Sequence, residues 1–149
     1  MANALEILRD RLSEDSVELS YDNIDGINTL RLVLDSIGEA EDGIVVLELS
    51  DIPLEEEVDY GYYHFISVLA NNIEAGQIAD TLVNINRINM ETLLGNYAVV
   101  EEAGTVVHKY VLRTGTMDEK SKADLLYDCM VDVIAVIHND YDRILASIG

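Results

Sequence analysis

The chain has 149 residues and carries 29 acidic against nine basic side chains, a formal net charge of −20. A chain of this length fits one domain, residues 1–149, which can bury roughly 70% of its unfolded surface and needs neither a disulfide nor a metal to fold. Phosphate groups would repel so much negative charge, so we expect no nucleic-acid partner and no membrane partner.

The composition also bears on the compartment. With 49% hydrophobic residues the chain can form a core, which argues against disorder. The charges of Glu6, Arg9 and Asp10 interrupt the first apolar pattern, which argues against a signal peptide, and no apolar run approaches the roughly 18 residues of a membrane span. Cys129 is the single cysteine, so it has no intramolecular disulfide partner. We therefore expect a cytoplasmic protein.

The basic residues are unevenly distributed. Residues 32–86 contain twelve acids and no lysine or arginine, and the acidic stretch 39–59 lies within them. Such a stretch is typical of a solubilising surface, and attraction to a basic partner is the alternative.

The first elements are a helix and two strands. Apolar residues at helical spacing predict a short helix over residues 3–13, which the polar cluster 13–16 ends. Alternating apolar and polar residues predict strands around 17–21 and 30–34. Asp25-Gly26 reads as the turn between these two strands.

Two further strands follow. Asp42-Gly43 is a turn signal before the β-branched run 44–49, which we place at the centre of the sheet. Pro53 ends that strand, and the acidic segment 55–59 is expected to be an exposed loop. The aromatic run that begins at Tyr60 leads into a fourth strand ending at Ala70, although a helix is the alternative.

The remaining elements are a helix, a hairpin and a long helix. Apolar spacing predicts the second helix over 77–90. Strands are predicted over 95–100 and 105–113, and Glu102-Ala103-Gly104 suits a three-residue hairpin loop with Gly104 in the left-handed position. Thr116 and Glu119 have the spacing of a capping box. After it, an apolar stripe runs to the end of the chain and predicts a helix of about 30 residues, about 45 Å long, which packs across a sheet or against a second copy.

The order α-β-β-β-β-α-β-β-α predicts an α+β fold in which helices pack on one face of an antiparallel sheet. Short segments in the second half give a more specific indication: Asn86-Arg87-Ile88-Asn89, Leu94-Gly95-Asn96-Tyr97, an acidic turn at Glu101-Glu102, and His108-Lys109-Tyr110-Val111-Leu112 before the capped helix. With these segments, residues 74–149 resemble the YbjN-like family of putative sensory-transduction regulators. The resemblance implies the fold of type III secretion chaperones, and it implies no catalytic residues. Those chaperones bind extended segments of client proteins and are commonly dimers.

The sequence contains no recognisable catalytic, metal-binding or phosphate-binding motif. The histidines His64, His108 and His138 lack metal-ligand spacing, and neither a phosphate-binding glycine motif nor a nucleophile elbow occurs. Cys129 and His138 are about 13 Å apart along one helix, too far to form a nucleophile pair. We expect Cys129 to be a small buried hydrophobe at the edge of the core, and we expect no metal and no cofactor.

Two groups of residues are candidate partner contacts. The aromatic group consists of Tyr62, Tyr63 and Phe65, for which packing in the sheet is the alternative. The acidic group consists of Asp124, Asp128 and Asp132, spaced four apart on one side of the long helix, for which a solvated surface is the alternative.

These observations favour a non-enzymatic protein-binding module, expected to be a homodimer, with a partner segment lying along the sheet or its edge. Two alternatives stay open. One is a small-molecule or metal-ion sensor, or a weak enzyme that uses paired carboxylates. The other is a structural subunit of a larger assembly.

Overall fold

The computed structural model describes residues 2–15 and 17–148. The helices are α1 (Ala4–Ser13), α2 (Ile78–Asn89) and α3 (Glu119–Ala146), and the strands are β1 (Glu18–Ile24), β2 (Ile27–Ile37), β3 (Gly43–Ile52), β4 (Tyr62–Ala70), β5 (Asn96–Val100) and β6 (Thr105–Arg113). The predicted α+β class and element order are confirmed. Ser16, which the prediction placed in the polar cluster after the first helix, lies outside the described residues.

The strands form one antiparallel sheet in the order β1-β2-β3-β4-β6-β5. The run 44–49 therefore lies in a central strand, as predicted, and the run that ends at Ala70 is a strand rather than a helix. Burial alternates along β4, where Tyr63, Phe65, Ser67 and Leu69 are buried and the residues between them are half-buried. This alternation gives the sheet an inner face, which packs against the helices, and a second face without helices.

Helix α3 supplies much of the core on the inner face. It has 28 residues and is about 42 Å long. Leu126, Val133, Ile137 and Ile144 are fully buried on it, and each such side chain contributes about 1.5–3 kcal/mol of burial free energy. Of the two predicted packing modes, the structure shows packing within the chain.

Two turns depend on left-handed backbone. Asp25 and Gly26 have φ values of 53° and 81°, the type I′ geometry that a two-residue hairpin requires. Gly104 also has positive φ, as predicted, but Val100 pairs with Thr105, so the loop has four residues instead of three. A Cβ on Gly104 would lie 2.6 Å from the Ile73 carbonyl oxygen, so only glycine fits.

The capping-box prediction for α3 was wrong. Asp118, two residues after Thr116, is the N-cap, and its carboxylate accepts the Ser121 N–H at 2.8 Å. Aspartate caps at least as well as threonine. Glu119 does not reach back to the cap, because its carboxylate accepts the Ala4 N–H at the start of α1 at 2.8 Å.

The segments that resemble the YbjN-like family hold α2 against β5. The Asn89 side chain accepts the Tyr97 N–H at 2.7 Å and donates to the Tyr97 carbonyl at 2.9 Å. Gly95 has φ of +69°, and a Cβ there would lie 2.5 Å from the Lys109 carbonyl oxygen. These residues therefore have structural roles.

Candidate functional site

The predicted aromatic group does not form one surface patch. Phe65 is fully buried and Tyr63 is 4% exposed, both on the inner face of the sheet, so neither contributes to an exposed patch. Tyr62 lies on the opposite face and is half-buried. The reason is the two-residue period of a strand, which sends neighbouring side chains to opposite faces.

Tyr62 belongs to the uncovered face, the side of the sheet against which none of the described helices packs. Strand register places Val33, Val46, Val68 and Val107 side by side across four strands of this face. The first three are half-buried and Val107 is 7% exposed. The result is an apolar row across the middle of a solvent-facing sheet, which we call the valine row.

Charged residues surround the valine row. The bases Arg31, Lys109 and Arg113 lie on this face, and the Arg31 Nε is 3.8 Å from the Glu48 carboxylate. Exposed Glu18 and Asp22 lie on the same face of β1, at the opposite side of the sheet from β6. The uncovered face is thus basic on its β6 side and acidic on its β1 side.

The predicted acidic group lies elsewhere. Asp124, Asp128 and Asp132 are exposed on α3, in the helical layer. Arg11 of α1 approaches Asp124 at 3.4 Å, and its guanidinium carbon lies 3.7 Å from the ring centroid of Tyr127. The structure therefore does not bring the aspartates and the aromatic group into one site.

A cavity of about 590 Å³ at one end of the sheet was not predicted. The end of β3, the loop that follows it, and the first turns of α1 and α3 surround it. Its inner polar groups are Asp51, Tyr63, Glu119 and Lys122. We call it the polar cavity.

Glu119 and Lys122 form an ion pair inside the polar cavity. The Lys122 ammonium lies 3.3 Å from Glu119 Oε1, while Glu119 Oε2 accepts the Ala4 N–H. Lys122 is only 6% exposed, so this pair replaces part of the hydration that the buried ammonium has lost.

Among the described residues, Asp51 and Tyr63 together have fewer charge or hydrogen-bond partners than Glu119 and Lys122. Burial, and then the neighbouring Glu119 charge, raise the pKa of Asp51, while Lys122 and a hydrogen bond with Asn28 oppose the shift. Burial and the charges of Asp51 and Glu119 raise the pKa of Tyr63, so its hydroxyl stays protonated. Within residues 2–15 and 17–148 that hydroxyl has no hydrogen-bond partner.

Sequence patterns could not find this site, because its four inner groups come from three elements far apart along the chain. The available signal was Asp51 at the end of a buried strand, a common position for functional carboxylates. Tyr63 was predicted only as part of the aromatic group of partner contacts. Glu119 was predicted to belong to the capping box at the start of the long helix.

The histidines and the cysteine do not converge on a site. His64 lies on the uncovered face, His108 is fully buried, and His138 accepts the Gly38 N–H at 3.1 Å. Cys129 is buried at the edge of the core, as predicted, and burial together with Asp132 raises its pKa to about 11, so it stays a thiol.

Among the described residues, no three or more His, Cys, Asp or Glu side chains are grouped to hold a metal ion. The same part of the chain includes no helix long and apolar enough to cross a membrane.

Comparison with protein-family models and with curated proteins finds no match to this chain. The fold and site geometry define an α+β protein with an uncovered apolar sheet face and a separate polar cavity. The resemblance to the YbjN-like family stays a prediction.

Proposed function

We propose that this protein is a non-enzymatic protein-binding module that associates with a second copy of itself through the uncovered face. The observation that carries the proposal is the valine row, a continuous apolar strip on the side of the sheet that no helix covers. Two sheets that pack face to face bury such rows between them.

The distribution of charge favours a second copy of the chain as the partner that covers this face. Two chains of −20 repel each other over most of their surfaces. The uncovered face is the exception, because its bases Arg31, Lys109 and Arg113 are balanced there by the acids Glu18, Asp22 and Glu48. A two-fold axis along the strands would lay the basic β6 side of one copy over the acidic β1 side of the other. The face is then complementary to itself, as an isologous interface requires.

The family resemblance supports the same reading. Under the proposed YbjN-like membership, the fold is that of secretion chaperones, which are commonly dimers and bind extended client segments. We propose a cytoplasmic protein partner on this basis, with Tyr62 at the rim of the interface. The aspartates of α3 are the part of the proposed contact surface that would suit a basic client.

Sedimentation velocity of the full chain tests the proposal, with Val111→Glu as the interface variant and Val131→Glu as its matched control. Val111 is 51% exposed on the uncovered face, and Val131 is 47% exposed on α3. We expect a wild-type dimer at about 100 µM protein, since interfaces of ordinary size have dissociation constants from micromolar to picomolar. Burying a carboxylate should make Val111→Glu a monomer while Val131→Glu stays dimeric.

Circular dichroism of both variants confirms that they fold. A wild-type chain that is monomeric at every concentration would contradict the proposal. Equal dissociation by the two variants would contradict it as well, because the interface would then not lie on the sheet.

A further inference from the structure

The polar cavity has a chemistry that the proposed function does not use. We propose that it is a binding site for a small organic cation, an ammonium or guanidinium group held by Asp51 and the hydroxyl of Tyr63. This site is independent of the uncovered face, which lies on the other side of the sheet.

The charge of the lining favours a cation. Lys122 is the one basic side chain among the described lining residues, and the Glu119 carboxylate already binds it. The carboxyl groups of the lining are those of Asp51, Glu56, Glu57, Asp59 and Glu119. The lining therefore keeps an excess of negative charge that the protein itself does not neutralise.

Tyr63 is an independent sign of a ligand. Its side chain is buried and lines the cavity, yet its hydroxyl has no hydrogen-bond partner among the described residues. The ring is buried while the hydroxyl opens onto the cavity, so a ligand in the cavity can reach it. An N–H group in the cavity would donate to its oxygen and satisfy it.

Asp51 provides the charge beside that hydroxyl. Asp51 and Tyr63 are paired across β3 and β4, and both line the cavity. Lys122 forms its ion pair with Glu119, so it only partly offsets the burial and the Glu119 charge that raise the pKa of Asp51. A bound cation would supply the missing counter-charge.

The shape suits a small organic ligand. A volume of about 590 Å³ is within the usual range for small-molecule sites. Backbone hydrogen bonds fasten the end of the loop that forms one wall, with the Met117 N–H donating to Asp59 and the Thr114 N–H to Gly61 at 3.2 and 2.8 Å. The wall is thus formed before any ligand arrives.

An organic cation fits better than a metal ion. A bare divalent ion needs several oxygen ligands at short distance, and the described residues hold no such group. Ammonium and guanidinium groups need fewer charges, because they bind through directional N–H donors.

Isothermal titration of the full chain with agmatine tests the proposal at constant ionic strength. Asp51→Asn should weaken binding about tenfold or more, since it removes a charge-assisted hydrogen bond. Tyr63→Phe should weaken it about three- to tenfold. Asp80→Asn, an exposed acid on α2, is the matched control and should leave the affinity unchanged. Hexamethonium carries two positive charges, as agmatine does, but has no N–H donors and should not bind.

A blocked Gly-Arg-Gly peptide tests whether the cationic group comes from a free small molecule or from an arginine side chain of a protein. Binding of agmatine alone assigns the site to a free small cation, and binding of the peptide assigns it to an arginine side chain of a protein. Binding of neither ligand overturns the proposal. Equal weakening by Asp51→Asn and Asp80→Asn also overturns it, since attraction would then be diffuse. Val111→Glu should bind agmatine normally, so the two proposals fail separately.

Discussion

Buried polar groups at single residues hold the second half of the chain together. Asp140 is 6% exposed, and its carboxylate accepts the Tyr97 hydroxyl at 2.8 Å and an Arg143 N–H at 2.7 Å. His108 packs edge-on against the Tyr97 ring at 5.0 Å, and its Nε2 lies 2.8 Å from the Leu94 carbonyl. A carbonyl only accepts, so Nε2 donates and Nδ1 is the unprotonated nitrogen, buried without a partner.

His108 should make the stability depend on pH. Burial lowers its pKa in the folded chain below the ordinary 6.5, so the unfolded chain takes up the proton first as the pH falls. The stability contribution is complete above pH 6.5 and is lost as the pH falls through the lower folded pKa. Urea denaturation at several pH values should show a smaller loss in His108→Gln than in the wild type.

The wild type and His108→Gln have the same carboxylates, so the difference between their pH profiles leaves out the contribution of the carboxylates to stability. If His108→Gln instead kept the full dependence, this buried imidazole would not be its source.

At the scale of the element, the start of α3 shows how neighbouring candidates compete for one role. Both Thr116 and Asp118 are good N-cap residues, and the pattern of a capping box selected the wrong one. The Met117 N–H donates to the Asp59 carbonyl, which holds the chain in a connector until Asp118. A contact with a distant loop thus sets the first residue of the helix.

Substitution of the two candidates separates them. Asp118→Ala removes the carboxylate that accepts the Ser121 N–H and should lower the thermal midpoint by a few degrees, whereas Thr116→Ala should leave it unchanged. Calorimetry of both variants measures the difference. Equal thermal midpoints for the two variants, or a larger fall for Thr116→Ala, would contradict the assignment of Asp118 as the N-cap.

At the scale of the whole molecule, the net charge opposes dimerisation, whereas the apolar surface of the uncovered face favours it. A dimer of this chain brings together two bodies of −20 each. Attraction at the uncovered face is short-ranged, whereas the repulsion extends over about a Debye length, roughly 10 Å at 0.1 M salt. Screening therefore removes the repulsion more than it weakens the contact.

Salt should accordingly strengthen the proposed dimer. Raising the ionic strength from about 0.02 to 0.5 M shortens the Debye length several-fold, and the dissociation constant from sedimentation should fall. Lys109→Glu adds repulsion at the face and should increase this salt dependence. Weaker association at high salt would show that charge pairs, and not the valine row, provide the main attraction.

Local patterns in the sequence determined the α+β class, the order of elements, the central place of the run 44–49 and the left-handed Gly104. Those features depend on residues close together along the chain, whose periods of 2 and 3.6 match the backbone. Only the tertiary structure decided that Tyr63 faces inward and that Asp51, Glu119 and Lys122 converge beside it. That convergence depends on how α1, α3 and the end of β3 pack, and packing joins residues that no local period relates.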